Sequence, residues 1–579
     1  MLSGIALSIL AGLAALTATA YSGTPKPERT EPMVEVMRHE LNRAQASLGK
    51  LDPAPYYTSY TVHDDDELNI FASEGAITSS FGRRTRTADV SMRVGSAVLD
   101  NSHGRSRPSA MDVGLFPIEN DPDALNRFLW HLTYEEYRRA SRAYLAVKSE
   151  KQVHAQEEDT SADFSQETPH TRSDASETFG PIDRAVLEEK VRRSSTLFVK
   201  YSHIYRSSLS LTVHRGKRYF VSSEGSSIVT PTAVIRLILT ASTRSDDGMD
   251  LQRVETFQGE SVDVLPGDVE IQTRIEKMAA DLKALRAAPP AEPFDGPALL
   301  SGRAAAVFFH EVLGHRLEGP RQRGEVEGQT FTKKIDQMVL PDFMSVTDDP
   351  TKRTLNGQML SGWYEFDDEG VPAAPAELIR NGVLKSFLMS RMPVKNFDRS
   401  NGHGRGQAGF MPVARQGNLI VSSTKTVTEA DLRKRLIDEI KRQGKPYGLY
   451  FEDIQGGFTI TQRTAPQVFQ VLPVSVWRVY PDGRPDELVR GVDIVGTPLA
   501  AMSHILMTGD KTDVFNGVCG AESGFIPVST AAPAMLFSEI EVQKKPASVN
   551  RPPILPPPGF ERLEKSEKPA ASSNAGGGQ

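Results

Sequence analysis

The sequence predicts a mixed α/β (α+β) protein in two parts: an N-terminal α/β domain, then a mainly β C-terminal domain that opens on one strongly apolar helix. Three observations predict it. Strand-like blocks such as "KRYFVSSEG" and "TAVIRLILTAS", rich in β-branched and aromatic residues and bounded by Gly, Ser and Asp, alternate with helix-periodic stretches in the first half. The proline-rich "APPAEPFDGP" interrupts the chain near residue 290, because successive prolines cannot continue a helix. Beyond it, "LSGRAAAVFFHEVLGHRLEG" reads as a helix followed by many short strands and Gly-containing turns. A chain of 579 residues is also too long for one ordinary core.

Residues 1–20 stand apart. Ile5 to Leu16 is an unbroken apolar or small run, and Ala18-Thr19-Ala20 has the small-x-small form that precedes signal cleavage. At roughly 12 residues the run is shorter than the ~20 a bilayer span requires. No Lys or Arg precedes it, unlike the usual pattern. The expectation is a signal peptide and an exported protein, periplasmic or extracellular, with a cytoplasmic location the alternative if the segment is not a signal. No later segment is apolar enough for a stable membrane span.

The N-terminal domain is expected over residues 21–290. Val34, Met37, Leu41, Ala44 and Leu48 recur at helical spacing. Tyr56 to Leu99 and Ser195 to Thr243 read as strands, with Asp64 to Asp66 as a solvated turn just before one of them. Asp123 to Val147 is helical in pattern and runs into a polar segment, about 148–180, read as a solvated helix end and loop. Asp268 to Ala287 is a further helix, with Ile271, Ile275, Met278, Leu282 and Leu285 on one side.

The C-terminal domain is expected over residues 295–545. Its first helix covers Ser301 to His315, and Thr428 caps another, lined by Leu432, Leu436 and Ile440. The last residues, 546–579, combine "RPPILPPPGF" with "KPAASSNAGGGQ" and cannot bury a core, so a disordered tail is expected.

Composition narrows the function. With 67 Lys+Arg against 74 Asp+Glu the net charge is −7, which offers no basic field for phosphate backbones, so nucleic acid is not an expected partner. The chain holds a single cysteine, Cys519, which cannot form an intrachain disulfide. A lone thiol in an oxidising compartment is a hazard unless buried or bound to metal.

The strongest local signal is His310, Glu311 and His315, an H-E-x-x-x-H pattern inside the apolar helix. Two imidazoles can hold a zinc ion, and the carboxylate beside them can take a proton from the water the ion activates. The commoner H-E-x-x-H spacing places its histidines about 40° apart around a helix, whereas one more residue would place them ~140° apart. The helix must therefore loosen or end between His310 and His315, and Gly314 is placed to allow that. The competing reading is a plain helix with one surface histidine and one satisfied core histidine.

The stretch around this motif resembles the TldD/PmbA family of zinc metallopeptidases, whose signature is H-E-x-x-x-H with one cysteine ligand far downstream. The similarity extends through "EGQTFTKKIDQMV", "VTDDPT", "FDDEGVPAAPAELIRNGVLKSFLMSR", "IVGTPLAAMSHILMTGD" and "GVCGAESGFIPVS", roughly Leu300 to Val542. The N-terminal half resembles the family's α/β domain much more weakly. The resemblance implies that His310, His315 and Cys519 hold Zn2+ and that Glu311 is the catalytic base. It also implies a peptide or unfolded polypeptide as substrate, and a homodimer or a heterodimer with a paralogue. A thiolate is a good zinc ligand, and three protein ligands leave a fourth position for water.

The Gly-rich loop "RSNGHGRGQAG" carries His403 and Arg405, candidates for lining the substrate cleft and donating to a carbonyl oxyanion. A loop that merely tolerates polar residues is the plainer reading, and a phosphate loop is rejected because its Gly-Lys-Ser/Thr pattern is missing. Gly456 and Gly457 in "DIQGGF" mark a bulge or a close backbone approach. The alternative for the whole chain is a non-catalytic exported scaffold or partner subunit of a TldD/PmbA-like complex. Such a subunit would have no reason to keep His310, Glu311, His315 and Cys519 together. A purely structural zinc would want four protein ligands, and only three are in view.

Overall fold

A computed structural model describes residues 31–104, 113–153, 160–174, 182–323, 327–463, 468–545, 551–553, 555–558 and 560. The expected signal peptide and most of the expected disordered tail lie outside them. No helix among the described residues is long and apolar enough to cross a membrane.

Two sheets organise the chain, in agreement with the mixed α/β expectation. The first is built on four long antiparallel strands, in the order Ala76–Val94, Pro55–Ser73, Arg206–Ser222 and Ser227–Arg244. Short strands extend both edges, and Asp250–Gly259 pairs with the last of the four. Alternation along Pro55–Ser73 separates its two faces. Tyr60, Val62, Ile70 and Ala72 are buried in two apolar clusters together with residues of the helices Pro32–Leu48, Pro122–Val153, Arg184–Thr196 and Asp268–Ala287. Ser59, Thr61 and His63 point the other way, toward residues 406–412 of the second half.

The helix Asp268–Ala287 has the expected bounds, and its five apolar residues are buried. Three readings need correction. Asp64 to Asp66 form no turn; they lie within the strand Pro55–Ser73, where Asp64 pairs with Arg86 and Asp66 with Arg215 at 2.7 Å. Arg86 and Lys217 lie opposite Asp64, and Arg84 and Arg215 opposite Asp66, so the strand tolerates three acids in a row. The helix Arg184–Thr196 falls partly in a stretch read as strand. Asp183 caps it by accepting from the Ala185 and Val186 amides, but only Leu187 and Val191 give it an apolar face, too few to reveal a period.

The segment 148–180 is not solvated throughout. Its helix continues to Val153, Thr171–Ser173 joins the first sheet, and Asp163, Phe164 and Ser165 are buried. The Phe164 ring takes the guanidinium of Arg93 at 3.9 Å and that of Arg391 at 4.0 Å. One aromatic amid polar residues carries no periodic signal, although cation–π contacts make it an anchor.

The second sheet has twelve strands among the described residues, and its hub is the long strand Gly524–Lys544. It pairs with Asn418–Ser423, Val492–Gly496, Phe294–Leu300 and Ile505–Ala521. Through Phe469–Val479 and Gly448–Thr459 the pairing returns to Phe294–Leu300, so five of these strands close a ring. The helix Gly302–Val312 leaves Phe294–Leu300 directly, capped by Ser301, whose Oγ accepts from the Ala304 amide at 3.1 Å. Residues 304–312 are all buried, as a helix apolar on every side must be. Phe308 meets Phe469 and Phe537 edge-on, with centroids 5.5 and 5.4 Å away.

Candidate metal centre

The helix ends at Val312, three residues before the expected end, and a tighter 3-10 turn runs from Gly314 to Leu317. That break removes the ~140° objection to the H-E-x-x-x-H spacing. His310, on the last turn of the helix, and His315, in the 3-10 turn, have ring centroids 4.9 Å apart. Gly314 is needed for space: a Cβ there would collide with the Oε1 of Gln416.

The third member arrives from the far end of the chain. Cys519 lies near the end of Ile505–Ala521, which turns at residues 522–523 into Gly524–Lys544. Its Sγ is 3.2 Å from the Nε2 of His315. One ligand atom from each of His310, His315 and Cys519 falls within 4.8 Å of the others, and all three residues are buried. Glu311 stands beside them.

The electrostatics favour a cation. Burial works against ionising Cys519, yet His315, and then His310, hold its thiol well below the ordinary range. Burial likewise opposes charge on His315, but Cys519 and Glu318 outweigh it and raise its pKa well above normal. Glu318, fully buried, has its Oε1 3.3 Å from the His315 Nδ1. Desolvation would raise its carboxyl; His315, Arg321 and Arg415 instead hold it down to about 2. Burial dominates at Glu311 and raises its carboxyl above the usual range, as suits a group that must take up a proton. The Nδ1 of His310 is buried without a hydrogen-bond partner. Two imidazoles and a thiolate, one ring nitrogen orphaned, fit a borderline-soft ion such as zinc.

The trio opens into a cavity of about 570 Å³. Gln455 to Gln462 line one side, and Phe515 and Val518 to Glu522 another. Strand Gly448–Thr459 pairs with Phe294–Leu300 only at Leu449 to Phe451. From Asp453 to Thr459 that edge has no strand partner among the described residues, and Gln455 to Thr459 line the cavity. The expected bulge is present, with register shifts between Phe451 and Gly456. Gly457 also makes the expected close approach, since a Cβ there would lie 2.8 Å from Glu311 Cγ. A second cavity, between the first sheet and residues 406–412, holds only about 40 Å³ and contains no member of the trio.

His403 and Arg405 do not line the metal cavity, contrary to their expected substrate-binding role. Both are buried behind the site. The His403 Nε2 is 3.3 Å from Asp348, and Arg405 donates to the Gln416 carbonyl at 2.7 Å and stacks over Tyr364. Their Gly-rich loop folds as a short hairpin, Gly404–Arg405 against Val413–Ala414, that presents Arg415 and Gln416. Glu318, Arg415 and Gln416 were missed as site residues. Glu318 sat in the Leu-Glu-Gly of the motif, but nothing local distinguishes a buried carboxylate from a surface one.

Residues 295–544 match the model of the PmbA/TldA metallopeptidase C-terminal domain. Over these residues the chain is similar to the PmbA/TldD family. The domain is similar to the "Metalloprotease TldD homolog" of Haemophilus influenzae, at 28% identity over 250 residues, 42% of this chain and 48% of that protein. It is also similar to the "Zinc metalloprotease TldD homolog" of Saccharolobus solfataricus, at 22% identity over 249 residues, 42% of this chain and 51% of that one. The chain thus spans about half the length of the curated relatives it matches. The likeness in fold reaches further than the PmbA/TldD domain. The crystal structure of TldE from Thermococcus kodakarensis aligns over 89% of this chain and 100% of its own, with a TM-score of 0.56 at 12% identity.

Proposed function

We propose that the protein is a zinc-dependent peptidase that hydrolyses peptide bonds in peptides or unfolded polypeptides. The observation that carries this reading is the convergence of His310, His315 and Cys519 on one point at the wall of an open cavity, with Glu311 beside them. His310, His315 and Cys519 would hold the ion. When bound, zinc supplies Lewis-acid chemistry, polarising a peptide carbonyl and acidifying a water molecule. Glu311 accepts the proton of the attacking water and returns it to the leaving amine. The open edge from Asp453 to Thr459 binds an extended segment through its backbone, which supports broad side-chain tolerance. Phe458 and Val518, 49% and 46% exposed, offer apolar contacts along the same cavity. The working form is a homodimer or a heterodimer with a paralogue.

Metal analysis paired with a peptidase assay tests this. Purified protein should carry about one zinc per chain, seen by X-ray absorption with two nitrogens and one sulfur. It should cleave an unfolded polypeptide while sparing the same protein folded, because only an extended chain can add to a sheet edge. A first shell without sulfur would remove Cys519 from the site, and zinc-loaded protein inert toward unfolded chains would leave the scaffold role.

We also propose export. The support is the apolar run ending at Ala18-Thr19-Ala20. Mass spectrometry of native material should find a mature chain beginning at or near Tyr21, outside the cytoplasm. An intact Met1 on soluble cytoplasmic protein would defeat the idea.

A further inference from the structure

Arg415 is fully buried, an unfavourable place for a guanidinium unless its N–H groups find acceptors. Its acceptors lie on the hairpin that bears Cys519, and an ion pair without a hydrogen bond links it to Glu318 behind His315. Nη2 donates to the Cys519 carbonyl at 2.9 Å. Nη1 donates to the Ser523 Oγ at 2.9 Å and to the Gly524 carbonyl at 3.3 Å. Nε lies 3.4 Å from the Oε1 of Glu318, the same oxygen that faces the Nδ1 of His315. A single planar group therefore touches the closing hairpin on both strands and the carboxylate behind a histidine 204 residues away from Cys519.

Arg415 is itself fixed. Its amide donates to the His403 carbonyl at 3.0 Å, at the end of the short hairpin that holds His403 and Arg405. The next residue, Gln416, reaches the His310 carbonyl from its Nε2 at 3.4 Å. The hairpin turn has further ties: the Gln407 backbone amide donates to the Ser523 carbonyl, the Gln407 Oε1 accepts from the Phe525 amide, and Arg321, 3.3 Å from Glu318, donates to Glu522 at 2.6 Å. Those ties hold the turn but do not reach residue 519.

We propose that Arg415 is a positioning residue that sets the distance between the Cys519 sulfur and the histidine nitrogens. The forked geometry of the guanidinium matters as well as its charge, because a lysine ammonium is one point and cannot span the carbonyl, the hydroxyl and the carboxylate together. This inference rests on the zinc reading of the trio.

The test uses the full chain and the metal alone. Wild type, Arg415→Lys and Arg391→Lys are stripped, loaded with Co2+, and read by thiolate-to-cobalt absorption; zinc affinity is measured by chelator competition. Arg391 is the control, because it is as deeply buried but donates to the Ser165 carbonyl and to Glu224, away from the trio. Arg415→Lys should lose most of the thiolate band and weaken zinc by about 10–100-fold, the usual effect of losing a partner that orients a ligand. Arg391→Lys should lower thermal stability and leave both readings near wild type. If Arg415→Lys cannot be recovered folded, Ser523→Ala removes one of the same bonds and should shift band and affinity in the same direction, less far. Arg415→Lys (or, in its place, Ser523→Ala) with wild-type band and affinity would overturn the inference alone, as would an equal loss in Arg391→Lys. No thiolate band in wild type would instead overturn ligation by Cys519, and this inference with it.

Discussion

Replacing Glu311 by Gln should lower peptidase turnover by about 10²–10⁴-fold, the range general acid–base groups contribute, while zinc content and thermal unfolding stay near wild type. The amide has the shape of the carboxylate and keeps the packing against Gly457, but it cannot take up a proton. Glu311 is suited to the task because burial raises its proton affinity without closing it off from the cavity. Steady-state kinetics on an unfolded substrate, with metal analysis on the same preparation, separates the outcomes. Full activity would mean that the proton goes elsewhere. Lost zinc would make Glu311 a ligand or a clamp on one, and the open position for substrate would no longer be secure.

The second large effect belongs to Cys519. Cys519→Ser replaces an anionic soft donor by a neutral hydroxyl, so zinc affinity should fall by more than the roughly 10–100-fold typical of an outer-shell loss, and activity should fall with it. His310→Ala should behave alike, because two remaining ligands hold the ion poorly. Stability offers an independent readout. An ion that binds only the folded chain stabilises it by about 2.7 kcal/mol at a hundred times its Kd. Thermal unfolding of wild type should show that increment when zinc is added at such a level, and the Cys519→Ser protein should not. Zinc retained at wild-type affinity in Cys519→Ser would show that the sulfur is a bystander.

The parts of this architecture legible in the sequence were those written in local period. Helices with repeated apolar positions, such as Asp268–Ala287, declare themselves within a few turns. The H-E-x-x-x-H pattern and the solitary Cys519 stand out by residue type alone. What stayed hidden depends on contacts distant in sequence. Phe164 looks like a stray aromatic until two arginines from elsewhere enclose it. His403 and Arg405 have the chemistry of a substrate cleft, but the fold turns both inward to support Arg415 and Gln416. Asp64 to Asp66 resemble a turn because three acids disfavour a strand, and only the basic residues on neighbouring strands make that strand tolerable.

The great separation between His315 and Cys519 also sets a schedule for synthesis. When the ribosome has finished the helix and the 3-10 turn that carry Glu311 and the two histidines, Cys519 still lies 204 residues ahead of His315. At the usual ~5–20 residues per second that interval is roughly 10–40 s. The sheet cannot close during it either, because Gly524–Lys544, which pairs with four other strands, is made later still. Through that interval the growing polypeptide has neither the third candidate ligand nor the closed sheet. The candidate metal centre is complete only after the chain that would surround it has been made, so the site and the fold are finished together.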